Sequence, residues 1–328
     1  MIFLRSEEIH LALPMAETIE AMKTAYAVFS KGDAEVPQRL QMDIAPHFGT
    51  SIFMPSFIHD GESDSLALKT VSVFPKNGSK GLPTIHAAVM VLDPETGRIE
   101  ALLEGSSLTS IRTGAASGAA IDILSRREAN SVALFGAGVQ GRTQLEAICA
   151  VRNIKRILVY DPNQQKANEF LTKISESANI PKDLRIARTP DEAACNAEII
   201  CTATTSKTPV YQADSVQPGT HVNGIGSYTL DMVENPPELI KNSNTFVDSV
   251  SATMSEAGEI VEAIRNNYIK TEGITEIGDV ILGKAHGRIS DNQITFFKSV
   301  GIAVQDALAA HLALKNAKEL NLGEKISW

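Results

Sequence analysis

The spacing of apolar positions changes partway along the chain. Early on, a 3.6-residue period predicts a helix over about Ala16 to Phe29. Short or alternating apolar runs then predict strands near Gln38 to Ile44, Ser51 to Phe57, Ser65 to Phe74 and Thr84 to Leu92. The turn-forming stretches "NGSKG" and "DPETG" between these runs suit an antiparallel sheet. A helix rich in Ala and Gly follows, roughly Leu108 to Leu124, and its small side chains permit close packing against a neighbour.

From Ser131 the pattern becomes an alternation of buried strands and helices. Strands are expected at Val132 to Phe135, Arg156 to Tyr160, Arg185 to Ala187, Ala197 to Ala203, His221 to Ile225 and Thr245 to Asp248. Helices are expected after Gly138, from Gln164 and near Pro190 to Cys195. That succession predicts a doubly wound parallel sheet. The last periodic segment, about Ile294 to Lys318, reads as one helix too long for a crossover, which implies that the chain returns to its first domain.

Composition narrows the class. The chain has 328 residues, 43% hydrophobic and 21% charged, enough for two folded domains with a sizeable core. The net charge of -9 is spread along the sequence with no basic run, which argues against nucleic acid and for a small metabolite as partner. Cys149, Cys195 and Cys201 lack metal-ligand spacing, so no metal site is expected and the thiols read as reduced. The start "MIFLRSEEIHLALPMAE" does not read as a signal peptide, and no window reaches about 18 uninterrupted apolar residues. A soluble, cytoplasmic protein without a membrane partner is expected.

The stretch "VALFGAGVQGRTQLEAI" places Gly136, Gly138 and Gly141 between a strand and a helix. The first glycine allows a tight turn, the second lets backbone approach a pyrophosphate, and the third lets helix pack on strand. Backbone N–H groups of the turn, with Ala137, Val139 and Gln140, would face the phosphates at a helix N-terminus. Asp161 closes the next strand, "RILVYD", where a carboxylate can accept from the adenosine ribose. Its alternative role is to cap the helix starting near Pro162. An acid there disfavours a 2′-phosphate, so NAD(H) is the expected cofactor, with NADP(H) possible. Arg142 could touch the pyrophosphate or be a solvated first-turn residue.

Several separated stretches carry a resemblance. "MPSF" at Met54, "LALKTVSVFPKN" at Leu66, "GLPTIHAAVMVLDPETGRIEALLEGSSLTSIRTGAASGAA" at Gly81, "GTHVNGIGSY" at Gly219 and "FFKSVGIAVQDALAA" at Phe296 join the glycine motif. Together they resemble the ornithine cyclodeaminase/mu-crystallin family, from near the N-terminus to about Ala310. The resemblance implies an α/β chain: a Rossmann dinucleotide-binding domain, residues 119–303, plus a split α+β domain, residues 1–118 with 304–328. The split domain would bind substrate and form a homodimer or larger homo-oligomer. Arg39, Lys69 and Arg112 match the family positions that bind a substrate α-carboxylate. An arginine fork grips a carboxylate bidentately and a lysine adds a point charge; each could alternatively be a salt-bridge residue.

Two departures matter. Members that cyclise ornithine carry an acidic residue two positions before the "MP" dipeptide and an aspartate after the "NxxG" strand; here Ile52 and Tyr228 stand in those places, with Ser227 before the latter. A protonated distal amine would find no acidic partner, at a cost of several kcal/mol. The expected reaction is therefore reduction of a C=N bond beside a carboxylate, as in the family's pyrroline-2-carboxylate and ketimine reductases, with proline as the product of the five-membered substrate. Lys69 and Tyr228 are the catalytic candidates, and Thr84 and His86 could line the substrate pocket or simply belong to a strand. Asn223, Gly224, Ser299 and Gly301 are expected near the nicotinamide, with turn formation or tight packing in a helix as alternatives; Thr113, Thr202 and Ala203 complete the cofactor set. An amino-acid dehydrogenase, a cyclodeaminase and a non-catalytic cofactor-binding protein remain competing readings.

Overall fold

The computed structural model describes residues 1–61, 64–177 and 179–327. The chain divides into two compact units, Met1–Arg112 with Ile302–Trp328, and Thr113–Gly301. The boundaries thus fall at Arg112/Thr113 and Gly301/Ile302 rather than at residues 118 and 304.

In the first unit, an eight-stranded sheet runs in the order Glu324–Lys325, Ile2–Leu4, Ile99–Glu104, Ile85–Leu92, Ser65–Val73, Gly49–Ile58, Ala34–Glu35, with Leu40–Ile44 also paired to Gly49–Ile58. Only the Ile2–Leu4 and Ile99–Glu104 pair is parallel; the rest are antiparallel, as the intervening turns require. The helix Met15–Lys31 buries Thr18, Ile19, Met22, Ala25 and Tyr26, a stripe at helical spacing. It ends where Gly32 turns left-handed at φ 87°. The helix Ala303–Leu320 belongs to the same unit: Asn316 Nδ2 donates to the Ala12 carbonyl and to Glu17 Oε2, both at 3.0 Å.

In the second unit all eight strands are parallel, in the order Asp183–Ile186, Arg156–Tyr160, Ser131–Phe135, Ile199–Thr202, His221–Gly224, Ile294–Lys298, Ser243–Val247, Ile274–Glu276. Every residue of Ser131–Phe135 is buried because helices cover both faces. Ala133 and Phe135 join one apolar core, Val132 and Leu134 the other. Complete burial of one such Phe or Leu side chain is worth about 1.5–3 kcal/mol. The strand order reverses between Ser131–Phe135 and Ile199–Thr202, and in open α/β sheets that switch point is where ligands bind, outside the carboxyl ends.

The segment expected as one helix from Ile294 to Lys318 is a strand, Ile294–Lys298, and a separate helix, Ala303–Leu320. The strand sequence ITFFK is β-branched and aromatic, and it is hydrogen-bonded on both sides within the parallel sheet. Gly301, at φ 81°, interrupts any helical continuation. Ser299 and Gly301 are therefore loop residues following a central strand, not part of a helix interior.

Candidate active site

The glycine turn begins where Gly136 leaves its strand at φ 101° and donates its N–H to the Tyr160 carbonyl at 2.9 Å. A Cβ on Gly136 would run into the Ala203 carbonyl oxygen, and one on Gly141 into the carbonyl oxygen of Gly136. Gly138 differs: it is the N-cap of the helix Val139–Val151, and a Cβ there would meet nothing within 4 Å. Two glycines therefore permit close backbone packing, while the middle one keeps space open at a helix N-terminus. Val139 is 76% exposed, and Gln140 Oε1 is a buried acceptor with no partner among the described residues.

Asp161 braces this turn. Its Oδ2 accepts the Ala137 N–H at 3.0 Å and lies 3.3 Å from Lys166 Nζ, while Oδ1 accepts the Asn163 N–H at 2.9 Å. Burial raises the carboxyl pKa, but the two backbone N–H groups and Lys166 outweigh it and hold the group below its ordinary value. The cap of the following helix, Gln164–Ile174, is instead Asn163, whose side chain accepts the Lys166 N–H at 3.0 Å. Arg142 pairs with Glu146 at 2.9 Å on the exposed helix surface, its solvated alternative. Thr113 lends its carbonyl to Gln144 Nε2 at 3.3 Å, and neighbouring Gly114 lies so close to the Thr143 carbonyl that a Cβ would sit 2.5 Å from its oxygen. The small-residue helix packs closely, as its composition implies. The open turn, the unpaired Gln140 acceptor and the braced carboxylate could hold a dinucleotide.

The remaining strand ends form a buried polar network. Asn235 Nδ2 donates to Thr202 Oγ1 at 3.0 Å, and Tyr211 donates to Asn235 Oδ1 at 2.7 Å. Ala203 N–H donates to the Phe135 carbonyl at 2.8 Å. Lys298, fully buried, donates to the Ser227 carbonyl at 2.7 Å and to Ser227 Oγ at 2.6 Å, and its Nζ lies 3.4 Å from Glu259 Oε1. Ser227 Oγ donates to Glu259 Oε2 at 2.6 Å, and its N–H to Glu234 Oε2 at 2.7 Å. Burial pushes the Glu234 carboxyl up, with Lys298 opposing that shift. Both glutamates are engaged in holding the loop, and Tyr228 beside it is 42% exposed.

Two of the residues expected near the nicotinamide are packed into the sheet. Asn223 is completely buried and its amide is spent on His221 at 2.8 Å and the Ser117 carbonyl at 3.4 Å; Gly224 is also buried, with room for a Cβ denied by Asn235 at 2.7 Å. Both residues serve packing within the sheet. Asp248 Oδ2 gathers the Ser299 hydroxyl at 2.9 Å, the Val300 N–H at 2.9 Å and the Gly301 N–H at 2.7 Å, which fixes the loop that carries Ser299 and Gly301.

The first unit holds a buried charge cluster. Lys69 stands mid-strand, paired across to Met54 and Val89, and alternation places Ile52 and Val71 on the same face of the sheet. Its Nζ donates to Asp306 Oδ1 at 3.0 Å, and Arg112 Nε donates to the same oxygen at 2.9 Å. Arg112 Nη1 donates to Gln305 Oε1 at 3.0 Å. Burial, chiefly, draws the Lys69 pKa down to about 8, against the attraction of Asp306 and with Arg112 and Arg39 pushing the same way as burial. Burial raises the Asp306 carboxyl, but Arg112 and Lys69 together hold it below its ordinary value. Two cations against one anion leave the cluster with a single positive charge, as a carboxylate ligand requires.

Of the expected substrate residues, Lys69 and Arg112 meet in this cluster, and Arg39, partly buried, adds its field to Lys69. His86 does not join them: it pairs with Ser72, on the face opposite Lys69, and is exposed. Thr84 is exposed and precedes the strand, its carbonyl accepting the Phe74 N–H at 2.8 Å. Asp306 and Gln305 escaped the reading of the sequence, although adjacent polar residues opening an otherwise apolar helix, "VQDALAA", are the signal that marks them.

The ornithine cyclodeaminase/mu-crystallin family model matches residues 1–321. A Delta(1)-pyrroline-2-carboxylate reductase of Bacillus cereus is 37% identical over 330 residues, covering 100% of both chains. The structure of the Thermococcus litoralis Delta(1)-pyrroline-2-carboxylate reductase in complex with NADH and L-proline superposes with a TM-score of 0.93 at 36% identity, covering 99% of this chain and 100% of that one. An archaeal alanine dehydrogenase dimer with bound NAD gives a TM-score of 0.91 at 32% identity, covering 100% of this chain and 99% of that one.

Proposed function

The chain belongs to the ornithine cyclodeaminase/mu-crystallin family, and from that premise we propose that it is a nicotinamide-dependent oxidoreductase that reduces the C=N bond of a small cyclic imino acid, pyrroline-2-carboxylate being the type substrate and L-proline its product. The observation that carries this reading is the buried Lys69–Arg112 pair with Ile52 on the same sheet face. That surface offers net positive charge to a carboxylate, and the acid it contains, Asp306, is already engaged by both cations, with the apolar Ile52 beside them. The full-length likeness to pyrroline-2-carboxylate reductases supports the same substrate class.

Reduced nicotinamide, when bound, supplies the hydride equivalent that the imine carbon accepts. The glycine turn, Gly138 above all, is the place for its pyrophosphate, and Asp161, which disfavours a 2′-phosphate, points to NAD(H). Lys69 and Arg112 would hold the substrate carboxylate and so fix the adjacent imine carbon; orientation of this kind removes several kcal/mol from a barrier, up to about 7–11 in the best intramolecular cases. Arg39 lies close enough to strengthen the same field. Tyr228, exposed beside Ser227, is the second residue proposed to act in catalysis, through its phenolic O–H.

A second copy of the chain is the proposed partner of the first unit. Leu40, Met42, Phe48, Leu82 and Ile85 are 61, 50, 64, 51 and 46% exposed, an apolar display on the unit whose strand Leu40–Ile44 pairs, among the described residues, on one side only. Among the described residues no helix is long and apolar enough to cross a membrane, and cytoplasmic residence is part of the same proposal.

The test is the loss of reduced-nicotinamide absorbance when the purified protein meets pyrroline-2-carboxylate, with NADH and NADPH in parallel. Rapid loss, faster with NADH, is expected. Reduction of NAD by L-alanine with release of ammonia, and no imine reduction, would replace this reading with that of a dehydrogenase.

A further inference from the structure

Three elements far apart in sequence converge on one oxygen atom. Lys69 comes from the strand Ser65–Val73, Arg112 from the helix Gly105–Leu124 and Asp306 from the helix Ala303–Leu320. Asp306 is 1% exposed, and its Oδ1 accepts from both cations while Oδ2 is buried without a partner among the described residues. Leaving a carboxylate oxygen unsatisfied in the interior is costly, so its retention calls for a role beyond packing.

The support behind Arg112 is equally specific. Gln305 Oε1 accepts from Arg112 Nη1 and from the Ile302 N–H, each at 3.0 Å, while its Nε2 donates to the Tyr26 hydroxyl at 2.9 Å. Both ends of the amide are thereby satisfied, and the guanidinium plane is fixed at two nitrogens. A guanidinium has five N–H donors and an ammonium three, so these bonds orient both cations without exhausting them.

We propose that Asp306 is the positioning residue of the carboxylate clamp: by holding Lys69 and Arg112 on a single oxygen it fixes their spacing, keeps Lys69 charged, and leaves the clamp net positive toward the carboxylate of an imino acid. This rests on the reductase reading above. The charged groups facing Lys69 are Asp306 and Arg112 on the two helices and Arg39 ahead of the strand Leu40–Ile44, while its cross-strand partners Met54 and Val89 are apolar. Asp306 is the one member of this set that favours the ammonium form. With that charge removed, burial, Arg112 and Arg39 all drive Lys69 toward the neutral amine, and one contact to the substrate carboxylate is lost.

The experiment compares wild type, Asp306→Asn and Asp306→Glu in steady-state reduction of pyrroline-2-carboxylate at saturating NADH, from about pH 6 to about pH 9.5. Ratios of variant to wild type cancel the titration of the substrate itself. In wild type, KM should rise above about pH 8, where Lys69 loses its proton. In Asp306→Asn that rise should begin about one pH unit lower, with KM raised about tenfold at neutral pH and kcat changed much less. Asp306→Glu should restore the position of the break. A folded Asp306→Asn protein with the wild-type KM profile, or a loss confined to kcat, overturns the proposal. Should Asp306→Asn fail to fold, the double variant Lys69→Met/Asp306→Asn removes both charges together; its KM should be flat across the alkaline range, and a wild-type rise there overturns the proposal. A wild-type protein that does not reduce the imine overturns the reductase reading and this proposal with it.

Discussion

The Ala137 N–H donates to Asp161 Oδ2 across 3.0 Å, which ties the end of one parallel strand to the glycine turn after its neighbour. The same oxygen lies 3.3 Å from Lys166 Nζ, so the acid that should exclude a 2′-phosphate is itself partly offset by a cation. Asp161→Ser would remove the repulsion and release Lys166 at once. NADH binding should weaken about tenfold, since a hydrogen bond to a charged group is worth about 1.5–3 kcal/mol, while NADPH binding holds or tightens. Dissociation constants from cofactor fluorescence would check this; equal weakening of both cofactors would leave Asp161 as a brace for the turn and nothing more.

Gly136 and Gly138 should respond differently to the same added methyl group. At Gly136 the backbone is left-handed and a Cβ collides with the Ala203 carbonyl, so Gly136→Ala should lower stability by about 1–3 kcal/mol and disturb the turn even without ligand. At Gly138 the space is open, and Gly138→Ala should fold with a melting temperature near wild type. If a pyrophosphate occupies that space, the second variant nonetheless loses cofactor affinity by tenfold or more. Thermal melts with and without NADH separate the two cases, and undiminished NADH stabilisation of Gly138→Ala would place the phosphates elsewhere.

Periodicity and turn chemistry made most of the architecture legible. The glycine turn, the parallel alternation after Ser131 and the antiparallel strands between Leu40 and Leu92 follow from local patterns that act over a few residues. The segment from Ile294 to Lys318 misled because a buried strand and a buried helix are both continuously apolar, and Gly301 was the only punctuation between them. At the clamp, Lys69 and Arg112 were identifiable as cations in apolar settings, but their common partner Asp306 lies 237 and 194 positions away along the chain. Such pairing depends on tertiary contact and leaves only a faint trace in sequence. His86 is a simpler case: its strand was predicted, but the register that sends it to the face opposite Lys69 was not.

His221 should make the second unit sensitive to acid. It is completely buried on a central strand, with Nε2 2.8 Å from Asn223 Oδ1 and Nδ1 2.9 Å from Thr295 Oγ1, its cross-strand partner. An amide oxygen only accepts, so Nε2 carries a proton, while Nδ1 and the Leu124 carbonyl at 3.1 Å both lie within reach of the single Thr295 hydroxyl proton. The same hydroxyl oxygen accepts from Arg288 Nη2 at 2.9 Å, which brings a cation close to the ring and opposes a second ring proton. Burial is the main cause that draws the imidazole pKa down to about 3 from 6.5, with Arg288 and Arg152 adding to it and the Asn223 hydrogen bond opposing. Between those two values the unfolded chain binds a proton that the folded chain refuses, so stability is fully present above about pH 6.5 and falls as the pH drops toward 3. The loss from this one group amounts to about 1.4 kcal/mol per pH unit within that window. His221→Gln should cost about 1–3 kcal/mol at neutral pH through imperfectly replaced hydrogen bonds, yet lose less than wild type on acidification. Urea unfolding of both proteins at several pH values from about 7.5 down to about 4 would show the gap between them narrowing; parallel curves would mean that His221 is protonated in the folded protein and that the acid sensitivity resides in the carboxylates.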